Sequence, residues 1–155
     1  AAVPMGAVAI NEEIYDTIVK GTEAGIEFFH GYTYSGHPLA AAAAIAAIDI
    51  HVREDLAGRV KSIEPYWEAA SHAMKAAPNV IDIRNYGLIA GIELKSREGK
   101  PGDRATQVFR RCFDDGLLVR VTGDIIALSP PLIIEKSHVD RIFTTLADAI
   151  HKEAA

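Results

Sequence analysis

Hydrophobic residues follow two different periodicities between residues 55 and 152. Four short apolar runs predict β-strands. They span residues 80–84, 88–95, 117–121 and 125–129. Three longer segments carry apolar residues at every third or fourth position and predict amphipathic helices. They span residues 55–77, 104–114 and 136–152. Strands and helices in this mixed order predict an α+β domain.

Glycine and proline mark where these elements end. Thr122-Gly123-Asp124 separates two apolar runs and predicts a hairpin-like turn. Gly116 is placed to cap the helix at 104–114. Pro65 falls inside the helical pattern and predicts either a kink or the start of a new segment.

Residues 1–53 have a different organisation. Residues 6–10 are apolar and predict a short buried strand, after which Asn11 caps a helix that ends at Lys20-Gly21. Residues 22–37 have the composition of a loop. The alanine-rich run from Pro38 to about residue 53 predicts a helix, and its small side chains favour close packing and burial.

Composition and charge narrow the class of protein. The chain has 155 residues, the size of about one domain, with 49% hydrophobic and 24% charged residues and a net charge of −5. Lysine and arginine do not cluster, which argues against a nucleic-acid partner. No apolar run reaches the ~18 residues of a membrane span. Cys112 is the only cysteine, so no internal disulfide forms, and we expect a cytoplasmic protein.

Histidine and lysine supply no predicted catalytic or metal centre. No H-E-x-x-H, G-x-S-x-G or phosphate-loop motif occurs, and no metal site is predicted. Four histidines fall among charges on predicted helix faces and are interpreted as surface residues: His51, His72, His138 and His151. The seven lysines lie at helix ends, in polar helical segments or beside the surface loop 97–103, so none is predicted to form a Schiff base.

Arg120 is the charged residue of an otherwise apolar strand. Alternation places it on one face with Leu118 and Thr122. It either faces solvent, pairs with Asp124, or binds the carboxylate of a ligand, which arginine contacts in a bidentate manner. The pattern alone leaves these alternatives open.

The stretch HGYTYSGHP at residues 30–38 precedes the alanine-rich helix. Thr33 offers a hydroxyl near backbone N–H groups at a helix N-terminus, where anions such as phosphate bind. The alternative for Thr33 is a turn or capping role, and Ser35 is another capping candidate.

Four stretches together resemble one family. AVPMGAV (2–8), HGYTYSGHPLAAAAA (30–44), NYGLIAGIELK (85–95) and LLVRVTGDIIALSPPLII (117–134) are similar, in order and spacing, to the C-terminal part of class III pyridoxal-phosphate aminotransferases. The ω-amino acid:pyruvate type is the most similar branch. The resemblance extends over essentially the whole chain.

The resemblance implies the end of a type I aminotransferase fold, an α/β fold with an α+β C-terminal domain. Residues 1–37 would finish the large cofactor-binding domain, and residues 38–53 would form the interdomain helix. Residues 54–155 would form the small domain, with an antiparallel sheet and flanking helices.

The family's site residues carry over to three positions. Thr33 matches the threonine that binds the phosphate of pyridoxal 5′-phosphate across the dimer interface, and Tyr32 adjoins it. Arg120 matches the arginine that binds the substrate carboxylate and moves aside for amines without one. His37 stands where many members have asparagine, which removes a good N-cap.

The resemblance places the Schiff-base lysine just upstream of Ala1, so no catalytic residue is assigned within this chain. We therefore expect a C-terminal fragment that is inactive alone.

The implied function of the full-length protein is transfer of an amino group from an ω-amino acid or amine to a keto acid such as pyruvate. It implies a homodimer whose active site lies at the subunit interface. The alternative is a non-catalytic α+β module, residues 50–155, that binds a small ligand or mediates oligomerisation.

Overall fold

The chain divides into two units, Ala1–Glu54 and Asp55–Ala155. The structure is a computed structural model that describes residues 3–21 and 32–154. The predicted loop at residues 22–37 therefore lies partly outside the described residues, and only its last six positions are covered.

The described part of the first unit contains two helices, α1 (Glu12–Lys20) and α2 (Pro38–Arg53). Asn11 caps α1 as predicted, because its side-chain oxygen accepts a hydrogen bond from the Ile14 N–H at 2.9 Å. The helix ends at Gly21, whose N–H donates to the Thr17 carbonyl at 2.9 Å.

Two expectations for this unit are wrong. Residues 6–10 form no strand and are exposed, because an apolar run becomes a strand only where a neighbouring strand accepts its hydrogen bonds. The helix α2 forms as predicted but has no buried residue. Alanine sets the helical propensity of α2, whereas burial depends on which elements pack against it.

The second unit contains three helices, α3 (Leu56–Ala73), α4 (Asp103–Asp114) and α5 (Lys136–Ala154). A 3-10 turn, Met74–Ala76, follows α3. Pro65 lies inside α3, and the helix continues through it rather than starting a new segment. Gly116 follows α4 as predicted, and the Leu117 N–H donates to the Cys112 carbonyl at 2.7 Å, which closes the helix end.

Four strands form one antiparallel sheet in the order β1-β2-β4-β3. They are β1 (Val80–Tyr86), β2 (Ile89–Leu94), β3 (Arg120–Thr122) and β4 (Ile125–Leu128). β1 pairs with β2, β2 with β4 and β4 with β3, all antiparallel. This sheet with flanking helices confirms the predicted architecture of the small domain.

The hydrophobic core lies between the helices and one face of the sheet. Ile92 of β2 and Ile126 of β4 are directly paired, and both are fully buried. Trp67 of α3 and Phe143 of α5 pack edge to face with ring centroids 5.0 Å apart. The alternate residues of the strands form the opposite face, where Arg84 and Arg120 are exposed.

Candidate cofactor and substrate sites

Arg120 lies at the edge of the sheet, on its exposed face. It begins β3, which pairs with β4 alone among the described strands, and Leu118 and Thr122 share its exposure, as alternation predicts. No hydrogen bond or ion pair of its side chain occurs within the described residues. Its guanidinium is therefore available to an anionic ligand.

The predicted alternative of an Arg120–Asp124 pair is wrong. The Asp124 carboxylate instead accepts hydrogen bonds from the Gly102 N–H, at 2.9 Å, and from the Ser96 hydroxyl. Both acceptor oxygens of Asp124 are thus directed to the loop before α4.

A cleft of about 670 Å³ adjoins Arg120. Its lining is mostly apolar and includes Trp67, Phe109, Leu118 and Ala127. A cleft with apolar walls and one unpaired cation is suited to an organic molecule that carries a carboxylate. The sequence pattern identified Arg120 but not this lining, which comes from α3, α4 and the strands together.

Arg84 differs from Arg120 in its electrostatic surroundings. Its guanidinium contacts Asp82 at 2.5 Å and Glu93 at 2.9 Å. Hydrogen bonds to Glu93 and Asp82 raise the pKa of Arg84 above its ordinary value. Arg84 is therefore a neutralised cation, whereas Arg120 is not.

Thr33 and Tyr32 lie together in the first unit. The Ser35 N–H donates to the Tyr32 carbonyl at 2.9 Å, which closes a turn with Thr33 at its second position. These two residues and the segment around Met5 line a cleft of about 1060 Å³. Thr33 is exposed, and its hydroxyl has no hydrogen-bond partner in the part of the chain that the structure describes.

His37 is the N-cap of α2. Its Nδ1 accepts a hydrogen bond from the Ala40 N–H at 3.4 Å, so histidine takes the capping role that asparagine would have, and Ser35 does not. The expectation that His37 removes the cap is therefore wrong. Because His37 caps the helix, Thr33 is not needed for that purpose.

The remaining reactive side chains that the structure describes form no site. The seven lysines and the four helical histidines are exposed, as predicted. Cys112 is buried in α4, and burial, followed by the nearby charge of Asp115, raises the pKa of its thiol to about 11. No three metal-ligating side chains come together within residues 3–21 and 32–154. In the same ranges, every helix is too short or too polar to span a membrane.

The sequence of the chain is similar to those of known proteins. The profile of the family described as "Aminotransferase class-III" matches residues 2–150. The chain belongs to the class III aminotransferase family. It is 56% identical over 146 residues to the ω-aminotransferase of Caulobacter vibrioides, covering 94% of this chain and 33% of that protein. It is 38% identical over 153 residues to the ω-amino acid–pyruvate aminotransferase of Pseudomonas putida, covering 97% of this chain and 34% of that protein.

Solved structures agree with this assignment. The PMP-bound aminotransferase from Vibrio fluvialis superposes with a TM-score of 0.73 at 30% identity, over 82% of this chain and 29% of that chain. This chain thus spans about a third of the length of the curated relatives it matches. Class III aminotransferases depend on pyridoxal phosphate.

The chemistry of Thr33 is compatible with the phosphate group of pyridoxal phosphate. A phosphate needs donors that are not already engaged, and the Thr33 hydroxyl meets this requirement beside the N-terminus of the 16-residue helix α2. The structure places Thr33 and Tyr32 on one cleft, and it places Arg120 on another cleft in the second unit.

Proposed function

We propose that the enzyme containing this chain transfers an amino group from an ω-amino acid or amine to a keto acid such as pyruvate. Family membership supports aminotransfer, and the names of the relatives from Caulobacter vibrioides and Pseudomonas putida support the ω-amino substrates and pyruvate. The observation that carries the proposal is the unpaired guanidinium of Arg120 at an apolar cleft.

Arg120 binds the substrate carboxylate in this proposal. Its planar guanidinium forms two parallel hydrogen bonds to a carboxylate, which fixes the orientation of a keto acid as well as its affinity. Exposure leaves the side chain of Arg120 room to change rotamer when a substrate without a carboxylate enters. One arginine can therefore serve both an acid and a simple amine.

Thr33 holds the cofactor phosphate in this proposal, and Tyr32 lies at the edge of the same site. The proposed partner is a second copy of the enzyme, because the family's threonine reaches a cofactor across the dimer interface. When bound, pyridoxal phosphate supplies the electron sink for the reacting carbon. In this chain, Thr33 would orient the cofactor through its phosphate and Arg120 would orient the substrate through its carboxylate.

The domain assignment belongs to the same proposal. Residues 1–37 complete the cofactor-binding domain, residues 38–53 bridge the domains and residues 54–155 form the small domain. The two units divide after Glu54, within one residue of the proposed start of the small domain, and this supports that boundary. The single cysteine supports a cytoplasmic location. The family match at residues 2–150 spans both units, and this favours the enzyme over an independent α+β module.

The proposal is tested with the full-length enzyme and pyridoxal phosphate. An ω-amino acid such as β-alanine is mixed with pyruvate, and alanine is measured by chromatography. We expect alanine in proportion to enzyme concentration, and none from the 155-residue chain alone. Absence of alanine with every ω-amino acid and amine tested would contradict the proposal.

A further inference from the structure

The strand that carries Arg120 is short and has few hydrogen-bonding partners. β3 has three residues and lies at the edge of the sheet, where β4 is its one neighbour among the strands that the structure describes. Thr122 pairs with Ile125, so a two-residue turn, Gly123 and Asp124, joins β3 to β4. Gly123 has a positive φ of 58°, which suits the first central position of a type II′ turn.

Asp124 attaches this turn to the rest of the domain by three hydrogen bonds. Its side-chain Oδ1 accepts from the Gly102 N–H at 2.9 Å, and Oδ2 accepts from the Ser96 hydroxyl. Its main-chain carbonyl accepts from the Leu94 N–H at 2.9 Å and extends the pairing of β2 with β4. Asp124 is partly buried, where a hydrogen bond is screened less than at an open surface.

The turn and the loop before α4 touch through their backbones. Gly102 has a φ of 78°, and a side-chain carbon built on it would lie 3.3 Å from the Gly123 carbonyl oxygen. The absence of a side chain at Gly102 therefore permits the approach that places the Asp124 carboxylate on the Gly102 N–H.

The loop before α4 is itself fixed by an ionic network. Arg97 contacts Asp103 at 2.8 Å and the Glu153 carboxylate at 2.5 Å. Arg104 contacts the other oxygen of Glu153 at 2.5 Å, and the Glu153 side chain is only 1% exposed. Asp124 thus connects the strand of Arg120 to a part of the domain that has several independent anchors.

We propose that Asp124 is a positioning residue for Arg120, holding β3 in the place where the guanidinium meets a substrate carboxylate. This inference rests on the proposed function. Asp124 contributes through the geometry of Arg120 and touches no substrate. Its loss should therefore affect the binding of acids and leave the binding of simple amines unchanged.

The test uses the full-length enzyme with pyruvate as acceptor and benzylamine as a donor without a carboxylate. We expect Asp124→Ala to raise the KM for pyruvate about fivefold, the factor that corresponds to about one net hydrogen bond, with the KM for benzylamine unchanged. Asp124→Asn should restore the KM for pyruvate, because its amide still accepts from Gly102 and donates to Ser96. Asp148→Ala, at an exposed aspartate of α5, is the matched control.

A double-mutant cycle decides whether Asp124 acts through Arg120. In an Arg120→Ala background, Asp124→Ala should have no further effect on the KM for pyruvate. A full additional effect there, or an equal rise in both KM values, would overturn the inference. If Asp124→Ala does not fold, Ser96→Ala replaces it under the same criteria.

The outcomes separate this inference from the proposed function. If Arg120→Ala raises the KM for pyruvate selectively and Asp124→Ala does not, the positioning role alone is overturned. If Arg120→Ala raises the KM values for pyruvate and benzylamine equally, both the assignment of Arg120 to the substrate carboxylate and the positioning role of Asp124 are overturned.

Discussion

Arg84 and Arg120 lie in one lateral row of the sheet, at its two opposite edges. Arg84 pairs with Gly91, Gly91 with Ala127, and Ala127 with Arg120. Three strand spacings separate the two arginines by about 14 Å. Asp82 and Glu93 neutralise Arg84, whereas Arg120 has no anionic partner among the described residues. Two arginines on one face of the sheet thus differ in charge compensation, and Arg120 is the one that is available to an anionic ligand.

Removal of the Thr33 hydroxyl should weaken cofactor retention. In the full-length enzyme we expect Thr33→Ala to raise the dissociation constant for pyridoxal phosphate about tenfold, because charge-assisted hydrogen bonds to a phosphate contribute about 1.5–3 kcal/mol. Fluorescence titration of the cofactor-free enzyme measures the constant.

Thr33→Ser keeps the hydroxyl and is the matched control for this change. It should bind pyridoxal phosphate within about twofold of the unmodified enzyme, since the donor is retained. If Thr33→Ala binds pyridoxal phosphate as tightly as the unmodified enzyme, Thr33 has only a structural role in the turn.

The carboxylate of Glu153 should stabilise the second unit. Glu153→Gln leaves Arg97 and Arg104 without their shared anion. The cost of breaking a fully buried pair is ~3–5 kcal/mol, and we expect less, about 2 kcal/mol, because Arg97 is partly exposed and solvent screens it. Urea denaturation of the full-length enzyme measures the change.

A surface pair of the same charges provides the comparison for Glu153. Glu54→Gln removes the partner of Arg53, where both side chains are at least half exposed. We expect little change in the free energy of unfolding there. Equal effects of the two substitutions would show that burial of Glu153 contributes nothing.

The thiol of Cys112 should be unreactive in the folded protein. Its pKa, raised from 9.0 to about 11, keeps it protonated at pH 8, and its burial in α4 blocks access. A thiol reagent at pH 8 should therefore label Cys112 only after denaturation, which mass spectrometry detects.

The raised pKa of Cys112 also predicts that the free energy of unfolding decreases at alkaline pH. The unfolded thiol loses its proton near pH 9 and the folded thiol near pH 11. The contribution of Cys112 to stability is therefore complete below pH 9 and is lost as the pH rises through 11. Rapid labelling of the folded protein at pH 8 would contradict the burial and the raised pKa of this thiol, on which the pH effect rests.

Local sequence patterns predicted most of the second unit correctly. The β3–β4 hairpin around Gly123 and the helix end at Gly116 follow from turn chemistry that a few adjacent residues determine. The exposure of Arg120 follows from the alternation of a strand with one buried face.

Features that depend on distant residues were not predictable. The strand expected at residues 6–10 does not form, because no neighbouring strand pairs with it within the described residues. The periodicity of a segment does not show whether another strand lies beside it. A pair of Asp124 with Arg120 is one of the alternatives that the sequence leaves open, but the partners of Asp124 are Gly102 and Ser96, more than twenty residues away in sequence. The cap by His37 was missed because histidine is an uncommon N-cap.

The KM for pyruvate of the Arg120→Ala enzyme tests the central assignment most directly, with Arg84→Ala as the control from the same row. We expect Arg120→Ala to raise the KM for pyruvate by about tenfold or more, the factor of a lost charge-assisted hydrogen bond, and to leave the KM for benzylamine within about twofold. Arg84→Ala should change neither value by more than about twofold, since Arg84 is already neutralised. Equal rises for pyruvate and benzylamine in Arg120→Ala would contradict the role of Arg120 as the carboxylate-binding residue.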